Sequence, residues 1–208
     1  MQAAEKSQSW TAADERRWTP IENSGYGFVL ICAHLNLRYS LTMGTKAAIS
    51  VEEYLHTSFP GLDCEYQDGE IVERTLPDYL HSRTQSLLAF FFETLRQRLP
   101  VYACPELRVK LREGRYLVPD VAVFWPSAPT LSVPDAPPLI AIEILSPDDR
   151  LTAVREKLQE YRAWGVGHVW LVDPHSRRLY TCDTGLTEVQ SLVIPELGIE
   201  LGPAEIFE

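Results

Sequence analysis

Two continuous apolar segments, each interrupted by a single acid, constrain the fold of this chain more than any other feature. The first is YLVPDVAVF over 116–124, centred on Asp120, and the second is LIAIEIL over 139–145, which contains Glu143. Apolar runs of this length, bounded by turn residues, are typical of strands buried on both faces of a sheet. A carboxylate in such a strand has to be paired, protonated or metal-bound, because burying it bare is very costly.

The acid pair has two interpretations. Two carboxylates on neighbouring strands can share a hard divalent cation such as Mg²⁺, which is the minimal apparatus for metal-assisted phosphodiester hydrolysis. Alternatively both acids are structural: Asp120 begins a turn, and Glu143 pairs with Arg108 or Arg112 across a sheet. For either acid alone both interpretations stay open, whereas the pair followed by Lys157 on a helix favours the metal site.

The remaining patterns predict one α/β domain around a mixed sheet. Ser50 and Glu53 form a capping box that opens a short helix, and Asp68-Gly69 separates two runs typical of a hairpin. Two longer helices are predicted later in the chain: one over 81–99, whose Phe90–Phe92 run is core, and one over 152–164, ended by Gly165. Between them lie a strand from 107 to 111 that turns into the Asp120 strand, a loop over 126–138, and the Glu143 strand. After the second helix come a buried strand in HVWLVDP, a strand over 178–182, and edge strands over 192–201.

The domain is expected to span 46–208. Residues 1–45 have no clear hydrophobic period, so we expect them to be disordered or foreign to the domain. The orderly pattern begins directly after Met43, which suggests that Met43 is the true start and leaves open whether 1–42 are translated.

Charge and cysteine usage bound the partners and the compartment. A formal net charge of −10 argues against a nucleic-acid partner, although a local basic stripe can still bind phosphate. The densest basic cluster, Arg108, Lys110 and Arg112, is either a solvated strand face or such a contact. Four widely spaced cysteines without zinc spacing are typical of reduced thiols in a cytoplasmic protein. No segment has the ~18 apolar residues of a membrane span.

Lys157 is the third candidate site residue. Val154, Leu158 and Tyr161 form the apolar stripe of its helix, and Lys157 falls along the edge of that stripe. An ammonium there can orient or deprotonate the attacking water, or neutralise charge on the phosphate. The alternative is an exposed lysine whose stem covers apolar surface.

The runs PDVAVFWP, PPLIAIEILSPDDR and EKLQEYRAWGVGHVWLVDP resemble the Uma-type restriction endonucleases, a branch of the PD-(D/E)XK nuclease superfamily, over about Ser50 to Phe207. The resemblance implies a restriction-endonuclease-like αβββαβ core with a mixed central sheet flanked by helices. It also implies an endonuclease that cleaves DNA with Mg²⁺, or Mn²⁺ in its place. Asp120 would be the metal-binding Asp of PD, and Glu143 the acid of (D/E)XK.

The superfamily's usual lysine position is apolar in this chain, since Ile144 and Leu145 follow Glu143. The resemblance implies that Lys157 is the substitute, and that Glu65 and His81 are outer participants in the site. Ala153 stands where many relatives carry an Asp, which removes one possible support of Lys157.

Two rival functions come from other classes. One is a catalytically inactive nuclease fold that binds nucleic acid or protein, favoured by the acidic net charge and the displaced lysine. The other is a homodimer or other structural oligomer, which rests on apolar edge strands such as 192–194. If the protein is instead an enzyme, Asp120 and Glu143 repel each other without metal, so neutralising either should leave the fold intact or more heat-stable.

Overall fold

A mixed six-stranded sheet forms the centre of the protein, whose computed structural model describes residues 49–59 and 64–207. The helices in these ranges are α1 (Val51–His56), α2 (Tyr79–Leu95), α3 (Leu151–Trp164) and α4 (Pro203–Phe207). The strands are β1 (Cys64–Gln67), β2 (Glu70–Glu73), β3 (Tyr102–Pro105), β4 (Val109–Arg112), β5 (Arg115–Leu117), β6 (Val121–Phe124), β7 (Ile140–Ile144), β8 (His168–Asp173), β9 (Arg178–Cys182), β10 (Leu186–Val189), β11 (Leu192–Ile194) and β12 (Ile199–Leu201).

The central sheet has the order β10-β9-β8-β7-β6-β3, and only its β7–β8 pair is parallel. The series α2, β3, β6, β7, α3, β8 confirms the expected αβββαβ core, with the β4–β5 hairpin inserted between β3 and β6. That hairpin joins β1 and β2 in a separate antiparallel sheet of order β2-β1-β5-β4.

The alternation of side chains along β7 separates the two faces of the central sheet. Ile140, Ile142 and Ile144 pack in the apolar cluster that contains the α2 residue Phe92. Ala141 lies on the other face, in the cluster formed with α3. Because successive strand residues point to opposite faces, Glu143 belongs to the α3 face.

The segment 116–124 is two strands and not the single strand that its sequence predicts. It supplies β5 to one sheet and β6 to the other, with Val118, Pro119 and Asp120 between them. The proline explains the break, since it has no N–H to continue a ladder. Asp120 therefore precedes β6 at the junction of the two sheets.

Local signals for helices and turns are largely confirmed. The Ser50 side chain accepts the Glu53 N–H at 3.1 Å and caps α1, and Asp68 and Gly69 both have positive φ in the β1–β2 turn. Helix α2 begins two residues earlier than predicted, at the Asp78 cap, and ends at Leu95 instead of residue 99.

Two predictions of packing or pairing were wrong, and the residues behind the expected self-association lie inside the domain. Phe90 is 68% exposed, because three consecutive helical residues cannot all face one core. Strands β11 and β12 pair with each other and not with an edge of the central sheet, whose edges are β10 and β3, neither predicted. Leu192 and Ile194, on which the expectation of self-association rested, are fully buried in the domain.

Two further predictions have a narrower outcome. No helix in the part of the chain that the structure describes is long and apolar enough to cross a membrane. The predictions for 1–45 and for Met43 lie outside the described residues.

Candidate active site

A cleft of about 250 Å³ lies where the two larger sheets meet α2 and α3, and all five predicted site residues line it. They are Glu65 from β1, His81 from α2, Asp120 before β6, Glu143 from β7 and Lys157 from α3. The convergence follows from the fold, because β6 and β7 are neighbours and α3 covers the Glu143 face.

Asp120 is held at the floor of the cleft and is only 2% exposed. Its Oδ2 accepts the Ile144 N–H at 2.7 Å, and its Oδ1 accepts a hydrogen bond from the Arg74 guanidinium. Burial raises the pKa of this carboxyl, but His81, Arg74 and Lys157 together outweigh it and hold the pKa below its ordinary value. Asp120 is therefore a buried anion.

Glu143 is bonded through both of its oxygens. Its Oε2 accepts from Lys157 Nζ at 2.9 Å, and its Oε1 accepts from the Tyr161 hydroxyl at 2.9 Å. Burial raises its pKa to about 7; the Lys157 charge opposes this rise, and Asp120 and Glu65 add to it.

The structural alternative for Glu143 named different partners, Arg108 and Arg112. The structure instead places the Arg108 guanidinium over the Tyr54 ring, 4.4 Å from its centroid. Arg112 pairs with Asp68.

Lys157 points into the cleft and not into solvent, with 16% of its side chain exposed. Its ammonium lies 2.9 Å from Glu143 Oε2 and 2.7 Å from Glu65 Oε1, and it donates to the Val118 carbonyl at 3.0 Å. Burial lowers the pKa of the Lys157 ammonium, but the surrounding carboxylates have the larger, opposite effect. The pKa therefore lies above its ordinary value, and the group stays charged. Ala153 also lines the cleft, and its methyl group offers Lys157 no acceptor.

Glu65 and His81 are the weaker members of the predicted set. Glu65 Oε1 accepts the Val118 N–H at 3.1 Å, so Glu65 binds the junction peptide as well as Lys157. His81 Nε2 lies 3.5 Å from Asp120 Oδ1, and its Nδ1 lies 2.9 Å from the Ser146 hydroxyl. Burial lowers the pKa of His81, but its interaction with Asp120 raises it above the ordinary value overall.

Sequence reasoning missed Arg74 and the role of the Tyr161 hydroxyl. Arg74 follows β2, 46 positions before its partner Asp120, and no local pattern marks it. Tyr161 was assigned only to the apolar stripe of α3, although a fully buried tyrosine hydroxyl needs a partner. The signal for Tyr161 was therefore present, whereas the signal for Arg74 was not.

The basic cluster of the β4–β5 hairpin lies outside this network. Lys110 pairs with Glu113 at 2.9 Å, and Arg112 pairs with Asp68 at 2.7 Å with both side chains more than half exposed. These contacts favour the solvated strand face over phosphate binding.

The donor set of the cleft fits a magnesium ion bound partly by water. Within 49–59 and 64–207, no group of three or more His, Cys, Asp and Glu side chains is arranged to hold a metal ion. Mg²⁺ is, however, commonly held by one or two carboxylates together with waters and substrate phosphate. Asp120 and Glu143 supply two buried carboxylates of this kind.

Comparison with known proteins agrees with this fold. The structure resembles the crystal structure of "a putative nuclease belonging to DUF820" from Anabaena variabilis, with a TM-score of 0.65 and 24% sequence identity. The match covers 76% of this chain and 97% of that chain. The protein therefore has a nuclease fold.

The family is shown by the sequence itself. The profile of the Uma2 family, described as "Putative restriction endonuclease", matches residues 51–207. The chain belongs to the Uma2 family, which confirms the resemblance seen in its motifs. No curated protein matches the sequence.

Proposed function

We propose that this protein is a metal-dependent endonuclease that hydrolyses phosphodiester bonds of DNA. The observation that carries the proposal is the meeting of Asp120, Glu143 and Lys157 in one cleft, with the lysine bonded directly to one of the two acids. Membership of a family described as "Putative restriction endonuclease" supports the same reaction class.

Asp120 and Glu143 are the residues that would hold the ion, Mg²⁺ or Mn²⁺. When bound, such an ion lowers the pKa of a coordinated water and stabilises charge on the phosphate oxygens. The two carboxylates supply oxygen ligands from adjacent strands, and Tyr161 fixes the Glu143 carboxylate by donating to Oε1.

Lys157 acts on the reacting groups from the α3 side. Its charged ammonium, held by Glu143 and Glu65, is placed to orient the attacking water and to offset negative charge that develops on the phosphate. His81 lies between Asp120 and Ser146, with Nε2 facing Asp120 Oδ1 and Nδ1 facing the Ser146 hydroxyl, so its role is to position that carboxylate. Glu65 positions Lys157.

The direct test is cleavage of supercoiled plasmid and of single-stranded DNA by the full chain, with Mg²⁺, with Mn²⁺ and with a chelator. We expect cleavage only with a divalent ion, and its loss in Glu143→Gln. The matched control is Glu160→Gln, a cleft carboxylate that pairs with Arg115 and not with Lys157. Cleavage that survives the chelator, or that Glu143→Gln retains in full, would contradict the proposal.

One observation favours a second function, a catalytically inactive fold that binds nucleic acid or protein. Arg74 and Lys157 already neutralise carboxylates of the cleft, so the site can be stable without a metal. Calorimetric titration with Mg²⁺ and Mn²⁺ separates the two functions, because a binding module does not need the ion.

For either function we propose that the protein is cytoplasmic, since Cys104 and Cys182 are free thiols.

A further inference from the structure

We propose that Arg74 is an exchangeable counter-cation: it neutralises Asp120 in the metal-free cleft, and it turns to the substrate phosphate when a divalent ion takes its place. This inference rests on the proposed function and assigns the residue that positions the phosphodiester group.

The oxygen that Arg74 contacts is the one whose partners are side chains and can move away from a metal ion. The two oxygens of Asp120 have different partners: Oδ2 is engaged by the Ile144 amide, and Oδ1 faces Arg74 and His81. A backbone amide inside a folded sheet cannot leave, whereas a side chain can. Metal binding through Oδ1 therefore competes with the guanidinium of Arg74.

The charge on Arg74 makes displacement, and not deprotonation, the outcome of that competition. Arginine stays protonated in proteins, so Arg74 keeps its positive charge where it contacts Asp120. A divalent ion and a guanidinium on the same oxygen repel each other strongly in a poorly solvated site. One of the two cations has to move.

Arg74 makes fewer close polar contacts with the described residues than Lys157 does. Lys157 is within 3.0 Å of three acceptors, Glu143, Glu65 and the Val118 carbonyl. Arg74 has the contact to Asp120 and a longer one of 3.9 Å to Glu106 Oε1. Arg74 also projects from the segment after β2 and not from a helix packed on the sheet. It can swing away from Asp120 without disturbing the core.

The chemistry of the guanidinium identifies its second partner. Its planar fork binds phosphate oxygens through two parallel hydrogen bonds. Arg74 lines the cleft beside both proposed metal ligands, so a phosphodiester that reaches the ion comes within reach of this side chain. In a chain with a net charge of −10, a local cation is needed to hold a polyanion.

The test is calorimetric titration of the full chain with Mg²⁺ for wild type, Arg74→Met and Arg115→Met. Arg115 is the matched control: it lies in the same cleft with 13% of its side chain exposed against 17% for Arg74, but it pairs with Glu160. Since an opposite charge beside a carboxylate lowers its affinity for a proton by ~10-fold or more, we expect a similar effect on the metal ion, and Arg74→Met should bind Mg²⁺ about 10-fold more tightly. Arg115→Met should stay within about 2-fold of wild type.

A second pair of titrations tests whether Arg74 binds the substrate phosphate. With Ca²⁺ present, a short single-stranded DNA oligonucleotide should bind wild type about 10-fold more tightly than Arg74→Met, the value of one charge-assisted pair. Without Ca²⁺, Arg74 is engaged by Asp120, and the two proteins should bind the oligonucleotide within about 2-fold of each other. Equal binding with Ca²⁺ present would overturn the assignment of Arg74 to phosphate.

The outcomes for the ion separate this inference from the proposed function. Mg²⁺ binding that is equal in wild type and Arg74→Met overturns the exchange and leaves the endonuclease proposal standing. If none of the three proteins binds Mg²⁺ or Mn²⁺, both proposals are overturned. If Arg74→Met does not fold, the nitrogen-15 NMR signal of Arg74 Nε in wild type decides instead: it should shift as Mg²⁺ is added, and a fixed signal during ion binding overturns the exchange.

Discussion

Two aspartate–arginine pairs in this protein show how differently the same chemistry behaves at the surface and in the cleft. Arg112 donates two parallel hydrogen bonds to the Asp68 carboxylate, of 2.7 and 2.9 Å. The side chains of Asp68 and Arg112 are 58% and 59% exposed. Asp120 and Arg74 share one close contact, with side chains 3% and 17% exposed. The surface pair has the better geometry, but water and salt screen it. Burial, and not geometry, decides how much each pair matters.

The largest expected effect comes from breaking the buried pair. Asp120→Asn should abolish metal-dependent cleavage and also destabilise the protein by about 1.5–3 kcal/mol, because the buried side chain loses its charge-assisted hydrogen bonds from Arg74 and the Ile144 N–H. Urea unfolding of metal-free protein measures the change. Asp68→Asn, the matched surface variant, should shift the unfolding midpoint far less, and equal shifts in the two variants would contradict the comparison.

This prediction reverses the sequence-based expectation for Asp120. Without a metal, repulsion between the two acids was expected to make Asp120→Asn neutral or stabilising. The structure supplies each acid with its own cation, Arg74 for Asp120 and Lys157 for Glu143. Repulsion therefore does not dominate, and losing the anion costs more than it relieves.

The next effect sharpens the comparison for lysines. Lys157→Ala should lower the cleavage rate by ~10²- to 10⁴-fold, the usual contribution of a positioned acid–base group, and should lower turnover and catalytic efficiency together. Lys110→Ala, which breaks an exposed pair with Glu113, should leave the chemical step nearly unchanged. Steady-state kinetics on one DNA substrate compares them, and full activity in Lys157→Ala would show that this lysine is structural.

A smaller effect tests whether the hydrogen bond donated by Tyr161 is strengthened by the charge on its acceptor, Glu143. Tyr161 and Tyr54 are both fully buried, but the Tyr161 hydroxyl donates to Glu143 at 2.9 Å and the Tyr54 hydroxyl to the Cys64 carbonyl at 2.8 Å. Hydrogen bonds to charged groups contribute about 1.5–3 kcal/mol, against about 0.5–1.5 kcal/mol for neutral ones. Tyr161→Phe should therefore destabilise the protein more than Tyr54→Phe in urea unfolding at pH 8. The opposite order would show that Glu143 is not charged there.

The smallest effect concerns the surface pair and its pH dependence. The hydrogen bond from Arg112 lowers the pKa of Asp68 below its ordinary value of 3.8. A carboxyl with a lowered pKa stabilises the fold above its unfolded pKa, and this contribution is lost as the pH falls through its folded pKa. The difference between wild type and Asp68→Asn should thus be small at pH 7, decline below pH 3.8 and shrink in high salt. A difference that stays constant down to pH 2 would exclude the pair as its cause.

Much of the fold was predictable because its signals are local. The apolar runs around Asp120 and Glu143, the Ser50 cap and the Gly165 stop each depend on neighbouring residues. The break at Pro119 was also visible in the sequence, but the apolar run around it concealed that its two halves serve different sheets.

The candidate site was predictable only where a pattern carried it. Asp120 and Glu143 interrupt apolar runs, and Lys157 lies at the edge of an apolar helical stripe, so each is conspicuous against its surroundings. Arg74 interrupts nothing: it follows a polar hairpin, and its importance comes from a contact across 46 positions of sequence. Contacts of that range depend on how the two sheets meet, which periodicity does not encode.

The backbone of Val118, where the chain passes from one sheet to the other, ties the proposed catalytic site to the folding of the chain. Its N–H is bound by Glu65 and its carbonyl by Lys157, so two side chains of the cleft replace the ladder bonds that the junction lacks. A descendant of this protein that had lost the proposed nuclease activity would still draw stability from both residues, since buried backbone groups without partners are costly. Natural selection for a stable chain and natural selection for an active one therefore act on the same two positions.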